Sequence, residues 1–196
     1  MSSDWSCAVH GAVAPFSVPH PPSAAWLRNV ASRSTVPVWL PWPLPARWLL
    51  SGVAEAGHPR NGPTATVVAC SGPNPAPHPR APAERSADLL VVAEAPGVGL
   101  GAHLAGLEDV DPGDAVASGR PHAKVRAGGH PTPLWSVDGA EDRRAFVGES
   151  GGVWLWLLLW PASAEVLLLE RLELVDVRED AGLLDPPTGA PSRRLD

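Results

Sequence analysis

VWLWLLLW, residues Val153 to Trp160, is the most apolar run of the chain. Alternation of side chains along a strand puts Trp154, Trp156 and Trp160 on one face and Leu155, Leu157 and Leu159 on the other. Pro161 ends the run and Glu165 follows it, well short of the roughly 20 apolar residues that a membrane-spanning helix needs. The run therefore reads as a core strand, with its side chains packed in the core.

Working outward, Arg144 to Gly148 reads as its partner across the turn Glu149 to Gly152. Earlier, Asp88 to Ala95 is almost continuously apolar, the pattern of a strand buried on both faces. Trp48 to Ala56 and Thr64 to Ser71 flank the turn-forming stretch Gly57 to Pro63 and read as an antiparallel pair. His122 to Ala127 and Pro133 to Val137 are two further strands around Gly128-Gly129. On the C-terminal side, alternation from Leu172 to Val177 predicts a last strand after a helical turn up to about Arg171.

Helices are few because the 196-residue chain carries 24 prolines and 19 glycines, which interrupt the backbone hydrogen-bond ladder of a helix. One helix is predicted over Ala24 to Arg33, capped by Ser23, with Trp26, Leu27 and Val30 on one face. A second is predicted around Gly101 to Leu107. Between residues 36 and 48, VPVWLPWPLPARW, prolines 37, 41, 43 and 45 exclude a helix or a central strand. The fold expectation is α+β: a mostly antiparallel sheet of about five to seven strands, two short helices and long Pro/Gly-rich loops. The domain expectation is an irregular arm at 1–22, a single domain at 23–178 and a loose tail at 179–196.

Composition limits function. With 44% hydrophobic and 18% charged residues, the chain has the apolar material to fold. Its net charge is −6 and its basic residues are scattered, which argues against nucleic acid. Two cysteines, Cys7 and Cys70, and no basic-then-apolar opening point to the cytoplasm. Nine Trp beside no Tyr and a single lysine, Lys124, fit a coding sequence rich in G and C.

Four features could carry chemistry. Gly97, Gly99 and Gly101 follow a buried strand and open a helix with His103 on it, the setting in which glycines let a backbone approach a pyrophosphate. No βαβ unit with a ribose-binding acid follows, so a tight structural turn is the simpler reading. Trp39, Trp42 and Trp48 alternate with prolines; exposed, they make a platform for a partner, and otherwise they close the core. Cys70 is a nucleophile only if one of His58, His78, His103, His122 or His130 reaches it, and a small buried cysteine explains it better. Cys7 and His10 stand at zinc-ligand spacing, but a structural zinc site takes four ligands and no second pair stands beside them. No complete catalytic motif is present.

Together, WSCAVHG, VPVWLPWPLPARWLLSGVAEAG, VVACSGPNP, DLLVVAEAPGVGLGAHLAGL, PHAKV, HPTPLW and VWLWLLLWP resemble a family of uncharacterised actinobacterial proteins, a domain of unknown function. The likeness runs from about Trp5 to Arg178. It implies a zinc-ribbon-like start in which a C-P-x-C-G element precedes C-x-x-H-G; only the second is matched, at Cys7 and His10. From this follows the expectation that Met1 is internal to a longer protein, that this chain carries no cofactor and that zinc belongs to the longer form. The resemblance implies no catalytic residue.

The expected function is thus a non-enzymatic intracellular binding or regulatory module with an unidentified protein or small-molecule partner, and neither nucleic acid nor membrane. The alternative is a small-molecule-binding domain or enzyme built on the turn at 97–102.

Overall fold

The computed structural model describes residues 5–7, 11–13, 20–58, 62–77, 82–107, 112–113, 116, 119–180 and 184–195. A small hairpin, β1 (Trp5–Cys7) and β2 (Gly11–Val13), stands apart as a two-stranded sheet. Helix α1 (Ala24–Arg33) starts where Ser23 Oγ accepts the Trp26 amide at 3.1 Å, and it buries Leu27, Val30 and Ala31. Then come β3 (Trp39–Pro41), β4 (Leu49–His58), β5 (Gly62–Pro73), β6 (Ser86–Glu94) and the short helix α2 (Leu100–Ala105). The strands β7 (Ala123–Ala127), β8 (His130–Val137), β9 (Arg144–Ser150) and β10 (Val153–Trp160) form a meander, followed by a 3-10 segment at Ala162–Leu169 and β11 (Glu173–Asp176).

Among the described residues nine strands join in one sheet, in the order β3-β11-β7-β8-β9-β10-β6-β5-β4. Two antiparallel meanders, β4 to β6 and β7 to β10, meet along the β6–β10 pair, where Leu157 opposes Val91. At the far side β11 runs parallel to β7 and antiparallel to β3. This corrects the expected α+β fold with an antiparallel sheet of about five to seven strands: the architecture is mostly sheet, a single nine-stranded mixed sheet curled into a half-barrel with few short helices. The sheet is mixed because β11 pairs parallel with β7, β3 adds an edge strand within the proline-rich segment, and β6 beside β10 joins the two meanders into one sheet.

Both faces of the sheet are covered. One carries Leu155, Leu157 and Leu159 with Leu89, Val91 and Val68, packed under α1 and the 3-10 segment. The other carries Trp156, Leu158 and Trp160 with Leu90, Val92 and Val147, packed under α2 and Leu195. Period-two alternation along β10 thus feeds two cores at once. Trp39 and Trp48 are buried in the first core and Trp42 packs against it half-exposed. Their proline-rich segment supplies only a three-residue edge strand, the position in a sheet that tolerates a missing amide donor.

In the tail beyond residue 178, residues 187–192 run along β4. The Leu50 amide donates to Pro187 O at 2.8 Å, Gly189 N to Leu50 O at 2.9 Å and Ser192 N to Ser51 O at 2.8 Å. Leu195 ends this segment inside the second core, 3% exposed, against the open side of Gly52.

Candidate functional site

Where the C-terminal segment crosses β4, β5 and β6, a cavity of about 470 Å³ opens, lined in part by Ser51, Ser71, Ser86, Asp88, Arg193 and Arg194. Register explains the cluster. Ser71 and Asp88 are direct cross-strand partners on β5 and β6, so their side chains share one face. The register between β4 and β5 shifts between Leu50 and Gly52; such a bulge re-aims the extra residue, here Ser51. Its hydroxyl lies 2.7 Å from Ser71 Oγ, which is 2.5 Å from Asp88 Oδ1. A hydroxyl has one proton, so the chain runs Ser51 O–H to Ser71 and Ser71 O–H to the Asp88 carboxylate.

The other wall is the 3-10 turn Arg193–Leu195. Leu195 anchors it, and Ser192 Oγ accepts the Arg194 amide at 3.2 Å. The Arg194 guanidinium pairs with Asp88 at 3.4 Å and Asp142 at 3.9 Å, and lies 5.1 Å over the Trp160 ring. Arg143 lies over the same ring at 4.8 Å, holds Asp142 at 2.6 Å and donates to Leu104 O at 2.7 Å. Burial alone would raise the Asp142 carboxyl, but the Arg143 hydrogen bond and the charges of Arg143 and Arg194 hold it below its usual range.

The glycine turn sits elsewhere, at the end of β6. Gly97 and Gly99 adopt φ of 86° and 77°, backbone open to glycine and strained for other residues. Gly101 packs against the Trp156 indole with no room for a side chain. The Leu100 and Gly101 amides donate to Glu94 Oε2 at 2.6 and 3.1 Å, while Glu94 Oε1 accepts the Trp156 indole N–H at 2.7 Å. Glu94 is fully buried; burial pushes its carboxyl up to about 7 against the pull of those three hydrogen bonds. The place where a phosphate would meet the start of this helix therefore holds the chain's own carboxylate. His103, on the exposed side of α2, is lowered below its usual range by burial and then by Arg143.

Cys70 lies in the first core, where burial pushes its thiol up to about 12, far from the thiolate a nucleophile requires. His122 accepts the Ser136 amide at 3.1 Å on the sheet surface. His10, His78 and the side chains of Cys7 and His58 lie outside the described residues. Ser51, Ser71, Ser86, Asp88, Arg193 and Arg194 carry no motif in the sequence. The available signal was the Cys70-Ser71 break from apolar to polar at the end of a strand, with the same break at Asp88.

The fold and the cavity define the class: a β-sheet domain with both faces covered and a hydroxyl- and guanidinium-lined cavity at one edge. The chain belongs to a family of unknown function (DUF6758), whose model matches residues 1–195. No curated protein and no solved structure matches it. Among the described residues no helix is long and apolar enough to cross a membrane.

Proposed function

We propose that this chain is a non-enzymatic binding module whose ligand is a small molecule held in the cavity between the C-terminal segment and strands β4 to β6. The carrying observation is the cavity itself: about 470 Å³ falls within the roughly 300–1,000 Å³ usual for small-molecule sites. Its lining supports binding over chemistry. Ser71 gives its proton to Asp88, and Asp88 is also paired with Arg194, so the hydroxyls meet a carboxylate already engaged rather than an activating base. The turn at 97–102 is less suited, because Glu94 holds the Leu100 and Gly101 amides. The Trp/Pro segment is less suited as a partner surface, because Trp39 and Trp48 are buried.

A cytoplasmic setting belongs to this reading and rests on a sequence with only two cysteines. A zinc-ribbon-like start around Cys7 and His10 and an actinobacterial origin rest on the sequence resemblance alone.

Saturation-transfer NMR with a panel of sugars, amino acids, nucleosides and their phosphates tests the proposal on the full chain and on Ala190→Trp. Ala190 lines the cavity outside the core, so an indole there fills the space without entering the core. Binding lost in the variant supports the reading. No binding, or binding indifferent to the variant, overturns it.

A further inference from the structure

We infer that the cavity takes a small organic oxyanion, a phosphate monoester or a carboxylate, with Arg193 as its anchoring cation. This rests on the cavity being the ligand site. The lining carries two guanidiniums, Arg193 and Arg194, against one carboxylate, Asp88, and Asp142 beside it also pairs with Arg194. The two arginines differ in availability. Arg194 is committed to Asp88 and Asp142 and lies over Trp160. Arg193 is exposed at the cavity and makes no ion pair among the described residues.

Its position is built rather than incidental. Leu195, two residues on, is buried in the second core, and Ser192, one residue back, is 7% exposed and tied to Ser51 O at 2.8 Å. The residues on both sides of Arg193 and Arg194 are therefore held, which fixes the backbone from which Arg193 reaches the cavity. A guanidinium presents paired N–H donors that match the two oxygens of a carboxylate or phosphate. Hydroxyl donors stand on either wall: Ser86 Oγ makes no hydrogen bond to a described residue, and Ser192 Oγ, accepting the Arg194 amide, keeps its own proton to give. Leu49, Ala190 and Pro191 complete the lining with apolar surface, which suits a short uncharged body attached to the oxyanion. Asp88 sets the discrimination, because it already has Ser71 and Arg194 as donors; a cationic ligand gains little there and meets Arg193.

Phenyl phosphate, benzoate and the neutral benzyl alcohol, titrated calorimetrically into the full chain at low salt, test this. The expected result is binding of one or both anions and at least tenfold weaker binding of benzyl alcohol. Anion affinity falls at least tenfold in Arg193→Ala, is partly restored in Arg193→Lys, and is lost in Ala190→Trp. Phenyl phosphate and benzoate side by side separate a phosphate-bearing ligand from a carboxylate. Equal binding of benzyl alcohol, blocked by Ala190→Trp but unmoved by Arg193→Ala, overturns the oxyanion class and leaves the cavity reading standing. Anion binding that Ala190→Trp blocks and Arg193→Ala leaves unchanged removes Arg193 as the anchor. Absence of binding by all three probes refutes the oxyanion assignment, and the wider panel then judges the cavity separately.

Discussion

Glu94 and Trp156 form a buried pair: the indole N–H donates to Glu94 Oε1 at 2.7 Å, and neither residue is exposed. Through the other carboxylate oxygen, β10, the end of β6 and the first turn of α2 are tied to a single buried side chain.

This pair makes stability depend on pH in a definite direction. Burial raises the Glu94 carboxyl from its ordinary 4.5 to about 7 in the folded chain. The folded state then holds a proton that the unfolded state has released, so the contribution is fully present below about 4.5 and lost as pH rises through about 7. Denaturant melts between pH 5 and pH 8 are expected to show it, at most on the order of 3 kcal/mol, since each tenfold change in proton affinity is worth about 1.4 kcal/mol. Glu94→Gln, which cannot titrate, flattens this slope; an unchanged slope in that variant refutes the assignment.

Gly101→Ala sets two effects against each other. Replacing glycine inside a helix gains about 1 kcal/mol of propensity. Here, however, the added Cβ overlaps the indole of Trp156, which is fully buried and has nowhere to retreat, and overpacking of this kind costs about 1–3 kcal/mol or more. The net expectation is destabilisation, read as a lower denaturant midpoint; a stabilised variant shows that the ring can shift.

Leu157→Ala removes a fully buried side chain from β10, between β6 and β9. A loss of about 2–5 kcal/mol is expected. Guanidinium melts check it, and a change under about 1 kcal/mol would place β10 at the periphery.

Cys70 is expected to resist alkylation in the native chain, because burial pushes its thiol up to about 12 and the reactive species is the thiolate. Mass mapping after iodoacetamide at pH 8 should find Cys70 unmodified until denaturant is added. Fast native labelling there would contradict the burial.

The site was much less legible than the strands. Ser51, Ser71, Asp88 and Arg193 come from four separate stretches, none carrying a motif, and the arginines lie in a segment whose prolines and polarity read as loose. Its docking depends on three backbone hydrogen bonds to Leu50 and Ser51 and on Leu195 meeting the bare face of Gly52. No local pattern encodes either. The glycine turn was legible as a turn, but Glu94, its occupant, stood out only as one acid at the end of an apolar run.

Local order was written in the residue pattern. Alternation along Val153–Trp160 assigned Trp156 and Leu157 to opposite faces, as the two cores have them, and Ser23 marked the start of α1. These follow from backbone geometry, which repeats every two residues in a strand and every 3.6 in a helix. Folding in three dimensions settled which strands meet: β6 beside β10, β11 parallel to β7, and hence nine strands in one mixed sheet. A strand that is apolar on both faces offers its backbone donors and acceptors equally to any neighbour, so its partner is selected by the packing of the whole core and not by its own residues.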